Sequence, residues 1–473
     1  MFQRLILLLL LGFMPGVLAQ ALPELGDVSA TAISPIDEYR LGENIMREIR
    51  RDPAYLDDPE VADYANSLGN RLVARSDASR QEFEFFVVRD PQINAFALPG
   101  GFIGIHTGLI LAAQSESEVA GVVAHEVAHV TQRHIARMIN QQNQNQLISM
   151  AAMAVALLAA RSSSQVGEAA AVVGQAGVMQ SQLNFSRDNE READRVGLQM
   201  LEAAGFDPRG MAVFFERLQR ATRIYEGGAP SYLRTHPLTF ERIADIQNRI
   251  EGLPYRQVPD SLDFQLIRAK LRAESGTPRD AVEFFESSLA ERKFLSETAG
   301  RYGLVASLLR ARDFGRAQRE MTALRKTASP IIESLACRLA AAAGESARAL
   351  QCFQDARRAY PGSRALFYGH VEQMLGTGQS AAALQLLAAR VRTQPDDARL
   401  YRLQAQAYAA QGNRLMQHRS QGEAYARSGQ IGAAIEQLQI ALKTGGGDFY
   451  QLSATEARLR ELKKQQLELE RKR

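Results

Sequence analysis

Two histidines and a glutamate stand close together in the segment from His125 to His129, which reads His-Glu-Val-Ala-His. Residues four apart on an α-helix lie on one face, so both imidazoles can bind one metal ion while Glu126 lies beside them. Zinc bound in this way lowers the pKa of a coordinated water to about 7, and a neighbouring carboxylate can accept its proton as the water attacks a carbonyl. The spacing therefore predicts zinc-dependent peptide hydrolysis, with Glu126 as the general base.

The residues around this motif predict that it lies in the middle of a buried helix. Ser115 is followed three residues later by Glu118, which is the capping-box pattern of a helix start. Five valines between residues 119 and 130 then supply an apolar stripe beside the two histidines. A surface or core helix that carries two histidines by chance is the alternative.

Catalytic zinc usually has three side-chain ligands and one open position, so a third ligand is needed. The residues after His129 lack the glycine and histidine of the metzincin pattern. Glu190 is the best candidate, because Asp188 can cap a helix on which Glu190, Asp194 and Gly197 share one side. Asp194 could accept a hydrogen bond from the far nitrogen of a ligating histidine, and Gly197 would let two helices approach closely. Taken alone, this acidic cluster is more typical of a solvated helix start.

Taken together, these segments resemble the M48 family of zinc metallopeptidases, whose members pair His-Glu-x-x-His with a later Glu-x-x-Ala-Asp. Residues 94–105 look like the family's strand that leads into the active site, and Ser-Arg-Asp-Asn at 186–189 precedes the acidic motif. The sequence Arg-Thr-His-Pro at 234–237 is similar to a later His-Pro element of the family. The likeness covers about residues 38–250. It implies a zincin-like α+β fold.

The same resemblance implies a role for individual residues. The implied zinc ligands are His125, His129 and Glu190, with Glu126 as general base and Asp194 in support of a ligand. By resemblance to periplasmic members, His236 lies near the metal as a catalytic residue. There it could stabilise the oxyanion or occupy the open coordination position and hold the enzyme idle. A histidine that only caps a helix before Pro237 is the alternative.

Two other histidines are expected to have structural roles. His134 lies five residues beyond His129, and on a continuous helix this spacing rotates it away from the metal face. A structural hydrogen bond is therefore expected for it rather than ligation. His106 ends an apolar strand pattern, where it could simply satisfy a backbone carbonyl.

The first 21 residues predict a secretory signal peptide. Arg4 gives the positive start, Leu5 to Leu11 the apolar core, and Ala19-Gln20-Ala21 a small-x-small cleavage site. The core is too short for a membrane span, and the cleavage region has no cysteine for a lipid anchor. The chain is thus expected to be exported, with a retained anchor as the alternative.

The charge of the chain is balanced, which argues against a nucleic-acid partner. It has 56 Lys and Arg against 53 Asp and Glu, for a net charge of +3. Only residues 456–473 are strongly charged, and they are expected to form a solvated helix or frayed tail.

The only two cysteines are Cys337 and Cys352, and neither fits a metal-binding pattern. Gly344 lies between them, so an antiparallel helix pair that turns there would bring the two thiols level. Because export permits disulfides, we predict a structural bridge. Two small buried residues in a helical repeat are the alternative.

The front half of the chain predicts a small sheet packed against helices. Helices are expected at 37–50 and 59–75, and strands at 83–88 and 102–105. An edge strand near residues 96–105 could pair with an extended substrate backbone.

Between the two metal motifs lies an insert with an apolar run at 147–160 and small residues at 169–179. A largely apolar run of fourteen residues is too short for a membrane-spanning helix. The insert could be a packed hairpin, a flap over the cleft, or a surface that makes peripheral membrane contact or touches unfolded barrel proteins.

Beyond Pro254 the chain is rich in Ala, Leu, Arg and Gln, and several features recur after 34 residues. Pro361 and Pro395 have this separation, as do Gly344, Gly378 and Gly412. A period of 34 is the tetratricopeptide signature, and it predicts four to six helix hairpins from about 262 to 450. Their concave surface would bind peptides or partner proteins. An inert spacer is the alternative.

The sequence therefore predicts four parts: a signal peptide at 1–21, a metallopeptidase domain at 22–255, an all-α tetratricopeptide superhelix at 256–455 and a tail at 456–473. This order resembles periplasmic M48 proteases that assist and police the assembly of outer-membrane β-barrel proteins. The resemblance implies stalled or unfolded outer-membrane proteins as substrates, and docking of the repeats on the assembly machinery. A chaperone or scaffold with a latent metal site, and a processing peptidase for one exported precursor, are the alternatives.

Overall fold

The structure is a computed structural model, and it describes six segments of the chain, namely residues 33–76, 81–141, 187–224, 231–255, 257–294 and 296–471. The expected signal peptide and the expected insert at 147–179 lie outside the described residues. Among the described helices, none is long and apolar enough to cross a membrane.

The front half consists of nine helices and three strands in its described part. They are α1 (Pro35–Ile49), α2 (Pro59–Val73), β1 (Glu84–Val88), β2 (Ala95–Leu98), β3 (Phe102–His106), α3 (Thr107–Ala112), α4 (Glu116–Thr131), α5 (His134–Gln141), α6 (Arg187–Ala203), α7 (Arg209–Ile224), α8 (Ser231–Thr235) and α9 (Phe240–Glu251). The predicted mixture of helices with a small sheet is confirmed.

Local sequence explains where the first two helices begin. The Ser34 hydroxyl accepts a hydrogen bond from the Asp37 amide, and the Asp58 carboxylate accepts bonds from the amides at 60 and 61. Each cap is followed by a proline, which is favoured in the first turn because it has no amide hydrogen to leave unpaired.

The three strands form one sheet in the order β1-β3-β2, in which β1 is parallel and β2 antiparallel to β3. At the centre, Gly104 is level with Phe86 on one side and Phe96 on the other. A Cβ atom at Gly104 would lie 2.4 Å from the Phe96 ring, so these two aromatic rings require glycine there. Within the described sheet β2 is an edge strand, and no other described strand pairs with its outer side.

Helix α4 lies at the centre of the front half and is buried from residue 116 to residue 130. The Ser115 hydroxyl accepts from the Glu118 amide, while the Glu118 carboxylate accepts from the Gln114 amide at 2.7 Å. A Cβ atom at Gly197 would lie 3.1 Å from the backbone of α4 at Ala124, so α6 crosses α4 at a glycine. This close crossing brings the acidic motif against the histidine motif.

Twelve successive helices follow in the described C-terminal region. They are α10 (Leu262–Glu274), α11 (Pro278–Ala290), α12 (Glu297–Arg310), α13 (Phe314–Leu324), α14 (Pro330–Ala342), α15 (Ser346–Ala359), α16 (Arg364–Gly376), α17 (Ser380–Thr393), α18 (Ala398–Ala410), α19 (Arg414–Arg427), α20 (Ile431–Lys443) and α21 (Phe449–Arg471).

The 34-residue period of the sequence reappears as a period of helix pairs. Helix α16 begins 34 residues after the start of α14, and α18 begins 34 residues after the start of α16. The turn inside each pair contains Gly344, Gly378 or Gly412, with φ of 82°, 77° and 73°. Only glycine adopts this left-handed conformation without strain, which is why it recurs at the period.

The last helix continues through the start of the expected tail. Position 456 lies inside α21, and Leu462 is fully buried against α20. The side chains of α20 that it meets include Ile435 and Leu438. At least part of the charged run is therefore packed.

The helical region contacts the front half at several places along its length. At its start, the buried Lys270 ammonium lies 2.6 Å from both Asp58 and Glu60 of the α2 N-terminus. Further along, Arg364 pairs with Asp63 and Arg402 with Asp57, at 2.6 and 2.9 Å. In addition, Arg51 donates a hydrogen bond to the Gly429 carbonyl. The helices thus bend back over α1 and α2.

Cys337 and Cys352 form a disulfide between α14 and α15, with their Cα atoms 5.4 Å apart. Cys337 is fully buried in a cluster with Phe353, Ala356 and Leu366. The bridge therefore ties two neighbouring helices together beside the turn at Gly344.

Replacing both cysteines by alanine is expected to lower the free energy of unfolding by about 3 kcal/mol, because the bridge closes a loop of 15 residues in the unfolded chain. Urea unfolding of the parent and of the double variant measures the difference. A reducing agent should shift the parent toward the variant and leave the variant unchanged. Equal midpoints for the oxidised parent and the variant would contradict the expectation.

Candidate metal centre

The two histidines of α4 present their ring nitrogens to each other in the protein interior. The Nε2 atoms of His125 and His129 are 3.0 Å apart, and both side chains are fully buried. The helical spacing of four residues produces this convergence, since it places the two rings on one face of the helix.

Glu190, near the start of α6, faces both rings. Its Oε2 atom lies 3.5 Å from Nε2 of His125, and its Oε1 atom lies 3.4 Å from Nε2 of His129. The close crossing of α4 and α6 at Gly197 makes this approach possible. The structure therefore brings together the three expected ligands.

His236 also reaches this point, from the turn after α8. Its Nδ1 atom lies 3.1 Å from Oε1 of Glu190 and 3.4 Å from Nε2 of His125, while its Nε2 atom lies 3.6 Å from Glu126. The ring of Tyr232 stacks on it at 4.7 Å between centroids. One ligand atom from each of His125, His129, Glu190 and His236 lies within 4.8 Å of the other three.

These four side chains fit a tetrahedral cation. Ligand atoms about 2.1 Å from such an ion lie about 3.4 Å from one another. The observed separations from 3.0 to 3.5 Å match that spacing. Two histidines and one glutamate are a donor set of catalytic zinc sites.

Glu126 lies beside the ligands and does not belong to the group. It is fully buried, and no side chain among the described residues donates a hydrogen bond to its carboxylate, which lies near the Ala97 amide of β2. Burial raises the pKa of Glu126, and this effect outweighs the positive charges of His236 and His125, which lower it. A buried carboxylate with free lone pairs and a raised pKa is suited to accept a proton.

Burial affects the ligands in different ways. It lowers the pKa of His129 well below the usual range, which keeps the imidazole neutral as a metal ligand must be. Burial alone would raise the pKa of Glu190, but the charge of His236 and hydrogen bonds from the histidines outweigh it and hold that pKa low. The carboxylate is therefore ionised and able to bind a cation.

Asp194 lies one helical turn beyond Glu190, with its Oδ1 atom 3.0 Å from Nδ1 of His125. Sequence reasoning placed it at this far side of a ligating histidine. It is 2% exposed and is held from the opposite side by Arg242.

Arg242 is a site residue that sequence reasoning missed. Its Nε and Nη2 atoms donate to the two oxygens of Asp194 at 2.7 and 2.8 Å, and its Nη1 atom lies 2.7 Å from Oε2 of Glu190. Nη1 also donates to the carbonyl of Pro237 at 2.8 Å. The guanidinium thus fixes the acidic helix and the turn of His236 in one arrangement. Its position six residues after His236 was the only feature of the sequence that could have pointed to it. A turn lies between the two residues, so this spacing predicts no contact.

His134 makes a structural hydrogen bond, as expected, although the geometric reason differs. Helix α4 ends at Thr131, and Arg133 adopts a left-handed conformation with φ of 53°. The chain therefore reverses, and the His134 ring returns to lie 2.7 Å from Nδ1 of His129. His106, at the end of β3, lies instead beside Asp90, outside the metal group.

The chain is similar in sequence to known proteins. Residues 59–250 match the model of Peptidase family M48. A beta-barrel assembly-enhancing protease from Escherichia coli O157:H7 is 32% identical over 89% of this chain and 87% of its own length. The chain belongs to the M48 family. It is a metallopeptidase, and membership of this family implies a metal ion at the site just described.

In other relatives, the part that aligns with this chain is a smaller share of the relative's own length. A protein from Vibrio cholerae is 39% identical over 64% of this M48 peptidase, which spans 63% of that relative. The mitochondrial metalloendopeptidase OMA1 of Schizosaccharomyces pombe is 34% identical over 41% of the chain and 54% of its own length. Among solved structures, MamA 41-end from Desulfovibrio magneticus RS-1 covers 36% of this chain and 98% of its own. With 19% identity and a TM-score of 0.28, this likeness assigns neither a fold nor a function to the helical region.

Proposed function

We propose that this chain is a periplasmic zinc metalloendopeptidase that degrades misassembled outer-membrane β-barrel proteins and assists their assembly. The convergence of His125, His129 and Glu190 beside the fully buried carboxylate of Glu126 carries the proposal. The relative named beta-barrel assembly-enhancing protease, which matches almost the whole chain, supports the choice of substrate.

Each residue of the site has a part in the proposed reaction. His125, His129 and Glu190 hold zinc, which when bound polarises a peptide carbonyl and activates water. Glu126 accepts the proton of the attacking water at a carboxylate oxygen and passes it to the departing amine. Asp194 and Arg242 keep His125 and Glu190 oriented. Burial of all these groups excludes bulk water and strengthens their electrostatic interactions.

His236 is proposed to occupy the fourth ligand position of a resting enzyme. Its Nδ1 atom points at the same place as the other three ligands, at 3.1 Å from Glu190 and 3.4 Å from His125. An oxyanion-stabilising histidine would instead stand back from the ligands by the width of a bound carbonyl oxygen.

Replacing His236 by alanine is therefore expected to increase the rate of peptide cleavage several-fold, because it frees the position that a substrate must occupy. The cleavage rate of one unfolded client by zinc-loaded parent and variant measures this. His370→Ala, a change of another buried histidine in α16, is the matched control and should leave the rate unchanged. A slower His236 variant would instead assign the ring to oxyanion stabilisation.

Substrate binding is proposed at strand β2. It is one of the two edge strands of the described sheet, it contains Phe96, and α4 packs against it. An extended chain could add to this edge through backbone hydrogen bonds, which demands little of its sequence. An unfolded β-strand segment is such a chain.

The helical region is proposed to be a tetratricopeptide superhelix that docks on the assembly machinery or on its clients. The 34-residue period of α14, α16 and α18 supports this assignment. A zincin-like fold for 22–255, export by the N-terminal 21 residues and peripheral membrane contact through 147–160 complete the proposal as expectations from sequence.

The choice of client is tested with one outer-membrane β-barrel protein in two states. Zinc-loaded enzyme is expected to cleave the unfolded form and to spare the same protein folded in detergent. Chelation should stop cleavage and added zinc should restore it. Absence of cleavage in both the parent and His236→Ala would favour a scaffold with a latent site.

The breadth of clients is tested by a pull-down from periplasm with Glu126→Gln, which should hold substrates without cutting them. Many outer-membrane proteins in the captured set are expected for quality control. A single captured precursor would identify a processing peptidase instead.

A further inference from the structure

The Nδ1 atoms of His125 and His129 point away from the metal position, and each faces its own partner. Nδ1 of His125 lies 3.0 Å from the buried carboxylate of Asp194. Nδ1 of His129 lies 2.7 Å from Nδ1 of His134. The second ligand is therefore supported by a histidine, which is an unusual partner.

His134 continues from this contact toward the surface. It is fully buried, and its other nitrogen, Nε2, lies 3.1 Å from Oε2 of Glu192. The same carboxylate oxygen accepts a hydrogen bond from Arg137 at 2.8 Å. Glu192 is 40% exposed, so the chain of contacts runs from the metal position to solvent.

Hydrogen-bond logic fixes every proton along this chain. When Nε2 of His129 binds a metal, its remaining hydrogen must be on Nδ1. Nδ1 of His134 must then be the acceptor, so the hydrogen of a neutral His134 is on Nε2 and is donated to Glu192. Only this pair of tautomers makes both contacts favourable.

We infer that His134 and Glu192 form a hydrogen-bond relay that fixes the tautomer and orientation of His129 for metal binding. The inference rests on the proposed metal site. Both are positioning residues, since they act on the metal only through His129. The left-handed Arg133 is what makes the relay possible, because it turns His134 back against α4. Its φ of 53° is disfavoured for a side-chain-bearing residue.

The relay also explains why a third acidic residue stands in the Glu-Arg-Glu-Ala-Asp motif. Glu190 faces the metal position, Asp194 supports His125, and Glu192 supports His129 through His134. Successive carboxylates on one helix thus reach the same centre from different sides.

Zinc affinity of the purified chain, measured by competition with a chelator, tests the relay. His134→Phe keeps a ring but removes both nitrogens, and it is expected to weaken zinc binding about 10- to 100-fold. His134→Gln should recover most of that loss, because its amide can accept from His129 and donate to Glu192. Glu192→Gln is expected to have a smaller effect in the same direction, since that carboxylate is partly hydrated. His370→Ala is the control for loss of a buried histidine and should bind zinc like the parent.

The tautomers give a second measurement that a merely structural role would not change. Long-range proton–nitrogen NMR spectra of zinc-loaded, histidine-labelled protein should show the hydrogen of His134 on Nε2. A hydrogen on Nδ1 of His134 would overturn the relay, as would equal zinc affinity of the parent, His134→Phe and Glu192→Gln. If His134→Phe does not fold, Glu192→Gln and the NMR spectrum of the parent still decide. A parent that binds no zinc would remove the proposed function as well, whereas a parent that binds zinc as tightly as its variants removes the relay alone.

Discussion

Glu126→Gln is expected to slow peptide cleavage by about 10²- to 10⁴-fold while leaving zinc bound. Glutamine has nearly the same shape as glutamate but cannot accept the proton of the attacking water. Zinc should stay because His125, His129 and Glu190, which converge on the ion position, are unchanged. The loss should therefore fall on kcat rather than on metal content.

Two measurements on the same preparation check this result, namely the zinc content and the cleavage rate of an unfolded client. Glu423→Gln, at a largely buried glutamate of α19, is a matched control that should alter neither. A Glu126→Gln protein that still cleaves at the rate of the parent would show that another group is the base. A protein that has lost its zinc would show that Glu126 is a ligand.

Arg242→Met is expected to lower the free energy of unfolding of the metal-free protein by about 3–5 kcal/mol. Arg242 is 2% exposed and pairs with Glu190 and Asp194, which are equally buried. Methionine fills much of the same space but leaves two carboxylates in the interior without their cation. Zinc should offset part of the loss, because its own charge compensates Glu190.

The loss depends on pH in a defined direction. Burial alone would raise the pKa of Asp194, but hydrogen bonds from Arg242 and His125 outweigh it and hold that pKa below its usual range. A carboxyl group whose pKa is lower in the folded state adds stability above its unfolded pKa of about 3.9, and this stability is lost as the pH falls through the folded value. The advantage of the parent over Arg242→Met should therefore shrink below about pH 4.

Urea unfolding of the metal-free proteins at pH 7 and at pH 3.5 measures both effects. Arg249→Met is the matched control, since Arg249 lies on the same helix in an exposed pair with Asp245. That pair is expected to contribute less than about 1 kcal/mol. Equal losses for the two variants would mean that the buried network adds nothing beyond a surface pair.

Local spacing was enough to predict the core of the candidate site. The positions of His125, Glu126 and His129 follow from helical geometry, and the cap at Ser115 marks where that helix begins. Glu190 and Asp194 share one side of α6 for the same reason. The placement of α6 against α4 did not follow from spacing, because the acidic cluster alone is typical of a solvated helix start; the family resemblance implied it, and Gly197 is where the two helices cross.

Arg242 and the contact made by His134 could not be predicted in the same way. Arg242 reaches Asp194 across a turn and between two helices, so no periodicity relates them. His134 was expected on a continuous helix, and only the left-handed Arg133 reverses its direction. A non-glycine residue in that conformation is set by tertiary contacts, and Arg133 donates a hydrogen bond to the distant Ile33 carbonyl.

The helix pairs of the C-terminal region were predictable because small residues and glycine turns recur with the packing unit. The 34-residue period does not extend into α21. There the sequence predicted only a charged run and not the packing of the helix. The burial of Leu462 against α20 depends on which face of that helix meets its neighbour.

The contacts that hold the helical region against the front half differ in their burial. Lys270 is 4% exposed and salt hardly screens its pairing, whereas Arg402 and Asp57 are 44% and 61% exposed. Exposed pairs of this sort contribute about 0–1 kcal/mol and weaken as salt rises. The helical region is thus held at its start by a buried contact that salt hardly affects, and further along by contacts that include an exposed, salt-sensitive pair. Rising salt should therefore loosen the later helices from α1 and α2 before it affects the contact at Lys270.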